Sequence, residues 1–248
     1  MAGHSHWARI KRAKAVTDAR RGRAWSKLSR AVIVAARAGG GDPDANLALR
    51  YAIDAARAEN MPRDTIERAI KKGTGELGGV SYEELIYEGY GPGGAAVLCT
   101  ALTDNRHRTA PEVKKIFETH HGNLGATNCV AWMFAKRGVF TFTRAQTDED
   151  ALTHVALEAG ADDVTVLPDG FELRCEPGVF ETVKAALAAA KIEPQSAEVT
   201  MAPATTVPLA GENAAHMLEL IEALEDNDDV QKVYSNFEIS DDEMAKLA

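Results

Sequence analysis

The order of predicted helices and strands between residues 136 and 201 constrains the fold more than any other feature of this chain. The apolar pattern predicts strands at 138–144, 164–167, 171–175 and 197–201, and helices at 147–159 and 179–190. Pro168-Asp169-Gly170 supplies the turn between the two middle strands. The resulting order, β-α-β-β-α-β, is that of a ferredoxin-like unit.

The segments on either side of this unit contain strands and helices that have no partners of their own. A hairpin (82–90 and 95–103) and a helix after Thr109 precede it, and a strand (205–209), a helix (212–226) and a strand (230–239) follow it. We therefore expect a discontinuous α/β domain, residues 79–134 plus 203–248, that carries residues 135–202 as an insertion.

Three amphipathic helices are predicted before the glycine-rich linker GTGELGG (73–79), which marks the end of an N-terminal domain at residues 1–78. Asp42-Pro43-Asp44 is expected to open the second helix, and Pro62 to occupy the first position of the third. The expected fold class is α+β, with an N-terminal three-helix bundle followed by two ferredoxin-like α/β domains, one inserted in the other.

Positive charge is concentrated at the N-terminus of a chain whose formal net charge is −9. Residues 1–37 contain one acid, Asp18, and ten basic residues, namely Arg9, Lys11, Arg12, Lys14, Arg20, Arg21, Arg23, Lys27, Arg30 and Arg37. Such asymmetry is typical of a segment that faces a polyanion, either nucleic acid or an anionic membrane.

A helix over residues 19–38 would separate these charges from its apolar residues. At 100° per residue, Trp25, Leu28, Val32, Ile33 and Ala36 share one face. Arg20, Arg23, Lys27, Arg30 and Arg37 lie on the opposite, solvated face. A membrane-surface helix would carry more large apolar residues, so nucleic acid is the favoured partner. The alternative is that the charges only solvate an exposed face.

A second cationic segment follows the predicted hairpin. In TDNRHRT (103–109), Arg106 and Arg108 lie at the start of a helix, where backbone N–H groups favour an anion. We expect a second phosphate contact here, although Asp104 or Asn105 could equally cap the helix.

Several other functions are not supported by the sequence. Gly89, Gly91 and Gly94 match the dinucleotide-binding pattern, but a strand follows them where that site requires a helix. His4 and His6 lack a third metal ligand nearby, and Cys99, Cys129 and Cys175 form no C-x-x-C pair. No nucleophile, base and orienting partner group together in the sequence. No apolar run approaches the roughly 20 residues of a membrane span, and the basic N-terminus lacks the apolar core of a secretory signal. We expect a cytoplasmic, non-enzymatic protein without metal, cofactor or small-molecule substrate.

Six motifs in this order resemble the YebC/PmpR family, which includes bacterial regulators and a mitochondrial translational activator. The motifs are AGHSHW, KRAKAVTDARRGRAWSKLSR, GGGDPDAN, NMPRDTIERAIKKGTGE, YEGYGPGG and TDNRHRT, and the resemblance spans essentially the whole chain. His6 and His107 depart from it, since Lys and Asn are usual there. The resemblance implies three domains and a transcriptional regulator that binds DNA, or else a translation factor that binds ribosomal RNA on the ribosome.

From charge and resemblance together, we predict a nucleic-acid-binding regulator that uses its N-terminal helices. The predicted phosphate contacts are Arg9, Lys11, Arg12, Lys14, Arg20, Arg21, Arg23, Lys27, Arg30, Arg106 and Arg108. Contacts of this kind provide affinity and salt dependence but little sequence information.

Overall fold

The computed structural model describes residues 18–78, 81–167 and 170–247. It begins with three helices, α1 (Asp18–Gly39), α2 (Leu47–Ala58) and α3 (Arg63–Gly73). The apolar stripe predicted for the first helix is confirmed, because Val32, Ile33 and Ala36 are buried against α2 and α3, with Trp25 and Leu28 packed at the edge. Helix α1 ends where Gly40 adopts a φ of 88°, a left-handed conformation that favours glycine.

Helix α2 begins at Leu47, so the prediction that Asp42-Pro43-Asp44 opens it is wrong. Asn46 is the N-cap, and its side-chain oxygen accepts the Leu49 N–H at 3.1 Å. The same amide donates to the Ala35 carbonyl at 2.8 Å and to the Gly40 carbonyl at 2.9 Å. One buried side chain thus fixes the start of α2 against the end of α1. Pro62 is likewise the N-cap of α3 rather than its first helical residue.

Strands alternate with helices through the rest of the described chain. In order, the elements are β1 (Glu83–Tyr90), β2 (Ala96–Thr103), α4 (Arg106–Thr119), β3 (Asn123–Leu124), β4 (Phe134–Thr143), α5 (Glu149–Ala159), β5 (Asp163–Leu167), β6 (Gly170–Cys175), α6 (Phe180–Ala189), β7 (Ser196–Pro203), β8 (Val207–Pro208), α7 (Gly211–Asp226), β9 (Val230–Ser235), β10 (Phe237–Glu238) and α8 (Asp241–Leu247).

The first four-stranded sheet has the order β3-β1-β2-β9, and all neighbouring strands are antiparallel. The predicted hairpin is confirmed, since β1 and β2 pair over their full lengths across the turn at Pro92–Gly94. Helices α4 and α7 cover one face, and the core between helices and sheet includes Val97, Cys99, Phe117, Met217 and Leu220.

The second four-stranded sheet has the order β5-β6-β4-β7, again with antiparallel neighbours. Helices α5 and α6 pack on it around Phe140, Leu152, Leu173, Phe180 and Leu187. The predicted sequence of strands and helices is confirmed. Strand β4 starts earlier than predicted because Phe134 already pairs with Pro203 of β7.

The predicted single strand over residues 230–239 is wrong, because it breaks at Asn236 between β9 and β10. The Asn236 side-chain oxygen accepts the Ala96 N–H at 2.7 Å, which turns the chain out of the first sheet. Strand β10 then pairs in parallel with β8 as a separate two-stranded sheet. The sequence shows a polar residue, Asn236, where the strand breaks, but its bonding partner, Ala96, lies 140 residues away.

The N-terminal helices contact both α/β units. Tyr51 of α2 donates a hydrogen bond from its hydroxyl to Glu181 Oε1 at 2.5 Å, and its ring packs edge-on against Phe180 of α6. Burial and the bond to Glu181 raise the pKa of Tyr51 to about 12. Helix α1 meets the end of α7, as described below.

Candidate nucleic-acid interface

Helix α1 presents its predicted cations unequally. Arg20, Arg21 and Arg23 lie in the first two turns of the helix, but their side chains are outside the described part of the structure. Arg9, Lys11, Arg12 and Lys14 also lie outside the described residues. Of the predicted phosphate contacts on α1, the structure therefore places the side chains of Lys27 and Arg30.

Lys27 is bonded to the last turn of helix α7 and Arg30 to the turn that follows it, so the predicted solvation of this part of the face is wrong. Lys27 Nζ donates to the Glu225 carbonyl, and Arg30 Nη1 donates to the Asp228 carbonyl. Arg30 Nη1 also lies 3.0 Å from Asp229 Oδ1, and its side chain is only 19% exposed. Carbonyl groups at a helix C-terminus carry partial negative charge, which explains why cations collect there.

Asp229 is the centre of a buried polar cluster between α1 and the first sheet. Its Oδ2 accepts bonds from Thr103 Oγ1 at 3.0 Å, Thr109 Oγ1 at 2.6 Å and Arg108 Nη2 at 2.6 Å, while Oδ1 faces Arg30. Burial alone would raise the pKa of Asp229. The bonds from Thr109, Arg108 and Thr103 outweigh it and hold the pKa below its ordinary value.

Arg108 is thus tied into the protein, whereas Arg106 is not. Arg108 also lies 3.1 Å from Asp104, and its side chain is partly exposed. Arg106 is exposed, and no carboxylate of a described residue lies within 4 Å of its guanidinium. Of the two predicted phosphate contacts in TDNRHRT, Arg106 is therefore more accessible to a phosphate than Arg108.

The first turn of α4 already has an acceptor. Asn105 is the N-cap, and its side-chain oxygen accepts the N–H groups of His107 at 3.1 Å and Arg108 at 3.2 Å. Of the two capping residues considered from the sequence, Asn105 is therefore the one used. Two of the amides expected to attract an anion are occupied, so an anion here would be bound by the side chain of Arg106.

Three cations outside the predicted phosphate contacts lie at helix ends. Arg37 is exposed in the last turn of α1, and in the last turn of α3 Lys71 is exposed and Lys72 half-buried. A Cβ on Gly73 would lie 2.5 Å from the Ile33 carbonyl oxygen and 3.3 Å from the Arg37 nitrogen. This close approach packs the C-terminal end of α3 against the last turns of α1.

A cleft of about 280 Å³ lies between β1 and α4. Its lining includes Leu85, Tyr87, Arg106, Ala110, Leu124 and Thr127. The Tyr87 hydroxyl is buried and has no hydrogen-bond partner among the described residues. Burial raises the pKa of Tyr87, while the nearby charge of Arg106 acts in the opposite direction.

Among the described residues, no three His, Cys, Asp or Glu side chains lie together as potential metal ligands. Cys99 and Cys175 are buried free thiols, and burial raises the pKa of Cys175 to about 11. No helix within the described ranges is long and apolar enough to cross a membrane.

Family models match nearly all of the chain. Residues 5–76 match the TACO1/YebC protein N-terminal domain, and residues 82–237 match the TACO1/YebC second and third domain.

Full-length relatives and one solved structure are also similar. The chain is 53% identical over 247 residues to a probable transcriptional regulatory protein of Geobacter sulfurreducens, with 100% of each chain covered. It is 52% identical to another of that name from Pelotomaculum thermopropionicum, covering 97% of this chain and 100% of the other. The crystal structure of the conserved hypothetical protein Aq1575 from Aquifex aeolicus aligns with a TM-score of 0.83 at 45% identity, covering 95% of this chain and 98% of that one.

Proposed function

Because this chain belongs to the TACO1/YebC family, we propose that it is a non-enzymatic regulator of transcription that binds DNA through its basic N-terminal helices. The observation that carries the proposal is the charge distribution, with ten basic residues and one acid in the first 37 positions of an acidic chain. Full-length relatives bear the name of probable transcriptional regulatory protein. Phosphate neutralisation by Lys and Arg is the main source of affinity in such a complex.

The proposed domain division supports this role by separating the basic part from the rest. We propose a nucleic-acid-binding domain at residues 1–78, a discontinuous domain at 79–134 plus 203–248, and an inserted domain at 135–202. Both α/β units would be ferredoxin-like in their two-layer arrangement. The inserted unit follows the β-α-β-β-α-β order, whereas the other starts from a hairpin.

Within the proposed footprint, the contacts fall into three groups. Arg9, Lys11, Arg12, Lys14, Arg20, Arg21 and Arg23 would bind phosphates directly. Lys27 and Arg30 are partly used by the end of α7, and would contribute through their remaining N–H donors. Arg106 and Arg108 would extend the footprint, with Arg106 the more accessible of the two.

A ribosome-associated translation factor that binds ribosomal RNA is the second candidate. The observation that favours it is the lack, in the sequence, of a recognisable helix-turn-helix with base-reading Asn, Gln or Arg side chains. A basic helix can instead recognise RNA by its shape and backbone. Both candidates place the protein in the cytoplasm without cofactor, membrane or small-molecule substrate.

The basic-face proposal is tested by reversing Arg20 and Arg23 to Glu, and leaving Lys27 and Arg30 intact because they hold the fold together. The matched control reverses Arg57 and Arg63, exposed cations of the same bundle that pair with Asp54 and Glu67. We expect the first pair to weaken binding to duplex DNA or RNA by at least about tenfold and the control by much less. For DNA, the slope of log K against log salt should fall by roughly two, about 0.9 per lost contact.

Equal effects of the two variants would contradict the proposed footprint. Ultraviolet crosslinking in cells, followed by sequencing of the attached DNA and RNA, separates the two candidates. Enrichment at discrete promoters supports the transcriptional regulator, and crosslinks concentrated in ribosomal RNA support the translation factor.

A further inference from the structure

The basic face of helix α1 is directed at another part of the same chain. Arg23, Lys27 and Arg30 follow one another at intervals of four and three residues, which places their positions on one stripe of the helix. Lys27 and Arg30 donate to the carbonyls of Glu225 and Asp228. A polyanion that follows this stripe would therefore meet the segment that already holds these two side chains.

Residues 219–229, here called the acidic end of α7, offer these cations acceptors of the kind that a phosphate backbone offers. They comprise the last turns of α7 and the turn after it, and contain six acids and no lysine or arginine. The last carbonyls of a helix carry partial negative charge. Arg30 Nη1 also lies 3.0 Å from the carboxylate oxygen Oδ1 of Asp229. Two predicted phosphate contacts are thus occupied by negatively charged oxygens of the protein itself.

Asp229 does not depend on Arg30 to stabilise its buried charge. Its Oδ2 accepts bonds from Thr103, Arg108 and Thr109, which all belong to the first α/β unit. If helix α1 moved away, those three donors would stay in place and Oδ1 would face water. The bond between Arg30 and Asp229 can therefore be broken without leaving an unpaired carboxylate in the interior.

No shared apolar core joins the N-terminal bundle to the α/β units within the described ranges. The buried core of the bundle has no residue in common with the core of either four-stranded sheet. Away from α1, Tyr51 of α2 donates a hydrogen bond to Glu181 and packs edge-on against Phe180. The glycine-rich linker at 73–79 connects the bundle to the first sheet. Boundaries of this polar kind permit one part of a chain to move relative to another.

We propose that the acidic end of α7 is an intramolecular competitor of nucleic acid. In the closed form described here it is docked on the basic face of α1, and a phosphate backbone displaces it. This inference rests on the proposed function. In the closed form Lys27 and Arg30 offer a phosphate only their remaining N–H donors, and after displacement they offer all of them. Because only the open form presents the whole stripe, the apparent affinity for nucleic acid is reduced by the fraction of molecules that are open.

Tyr51→Phe tests the competition without changing any charge. The variant loses the hydrogen bond to Glu181 and keeps a ring against Phe180, so it weakens the closed form and leaves the bundle core intact. The full chain is titrated into a labelled DNA duplex and an RNA duplex of the same sequence, followed by fluorescence anisotropy. We expect about three- to tenfold tighter binding to whichever duplex the unaltered chain binds.

Glu181→Ala removes the other partner of the same bond and should tighten binding similarly. The double variant with Tyr51→Phe should bind no more tightly than either single variant. Glu193→Ala is the charge-matched control, because it removes another exposed acid shortly after α6 and has no contact with the bundle in the described structure. Its affinity should stay within about twofold of that of the unaltered chain, since salt screens a distant surface charge.

The opening itself can be measured by pulsed electron paramagnetic resonance. Nitroxide labels are placed at Ala48→Cys and Ala185→Cys, exposed positions one turn from Tyr51 and Glu181 on the facing helices α2 and α6. Cys129 is replaced by alanine, whereas the other two cysteines are buried. We expect one short distance in the free protein and a longer, broader distribution when duplex is saturating.

Three results would overturn the proposal. They are unchanged affinity in both Tyr51→Phe and Glu181→Ala, equal gains in affinity from Glu181→Ala and Glu193→Ala, and a label distance that saturating duplex leaves unchanged. Failure of the proposed function gives a different result, because the unaltered chain would then bind neither duplex, or would bind equally well after reversal of Arg20 and Arg23.

Discussion

Arg30 and Asp229 lie 199 positions apart in the sequence, yet Arg30 Nη1 and Asp229 Oδ1 are 3.0 Å apart in the folded protein. The bond joins the basic helix α1 to the strand end that also holds Thr103, Arg108 and Thr109. A cation predicted to face solvent is thus part of a buried cluster, and its removal affects folding as well as binding.

Replacing Asp229 with Asn should therefore be strongly destabilising. Four donors, including two guanidinium groups, would lose a negatively charged acceptor that is 4% exposed. We expect the free energy of unfolding to fall by about 3 kcal/mol, as measured by urea titration. Asp104→Asn removes the exposed partner of Arg108 and should cost less than about 1 kcal/mol. Similar losses of unfolding free energy in Asp229→Asn and Asp104→Asn would show that the buried cluster contributes little to stability.

The same carboxylate should make stability fall in acid. The folded state lowers the pKa of Asp229, so its contribution is fully present above the unfolded pKa of about 4 and is lost as pH falls through the lower folded value. Unfolding free energy measured between pH 6 and pH 2.5 should decline below about pH 4. Asp229→Asn should show a shallower decline. If the unfolding free energy of Asp229→Asn declined with pH as steeply as that of the unmodified protein, other carboxylates would be responsible for the acid sensitivity.

Glu88 should hold the chain segment after β3 in place. Its carboxylate is buried and accepts the N–H groups of Asn128 at 2.7 Å, Val130 at 2.9 Å and Ala131 at 2.7 Å. Although burial alone would raise the pKa of Glu88, these bonds lower it. Glu88→Gln should cost about 2 kcal/mol and accelerate hydrogen exchange at the Val130 and Ala131 amides. Glu84→Gln, four residues earlier and exposed, should leave that exchange unchanged.

Two glycines in the N-terminal helices should respond in opposite ways to alanine. At Gly73 a Cβ would lie 2.5 Å from the Ile33 carbonyl oxygen and 2.7 Å from Ala36 Cβ. Gly73→Ala should therefore lower the free energy of unfolding by about 2 kcal/mol, even after the gain in helix propensity, and so lower the melting temperature. Nothing lies within 4 Å of a Cβ at Gly22, so Gly22→Ala should stabilise by up to about 1 kcal/mol. Stabilisation by both changes would refute the close packing at Gly73.

Local patterns in the sequence were sufficient to predict most helices and strands. Apolar spacing located helix α1 and its buried residues Val32 and Ile33, and the turn residues located the β1–β2 hairpin. The errors occur where a polar side chain bonds to a distant partner. Asn46 delays the start of α2 by bonding to Ala35, and Asn236 interrupts a strand by bonding to Ala96. Such partners depend on tertiary structure and leave no periodic signal.

The sequence was sufficient to predict which residues of the candidate interface are cationic, but not which of them are already bonded within the folded protein. A helical wheel places Lys27 and Arg30 opposite the apolar stripe, and this is correct for α1 in isolation. Their acceptors, the carbonyls of Glu225 and Asp228, are backbone atoms some 200 residues away. Similarly, nothing in the spacing of TDNRHRT indicated that Arg108 would pair with Asp229 while Arg106 stayed exposed.

The separation between Lys27 and Glu225 also has a consequence for synthesis. A growing chain carries helix α1 long before the end of α7 exists, and translation proceeds at roughly 5–20 residues per second. For about 10–40 s, therefore, the backbone acceptors that Lys27 and Arg30 use in the folded protein have not yet been synthesised. These bonds can form only once residues 225–228 have been made, so helix α1 reaches its final position against the rest of the protein late in synthesis.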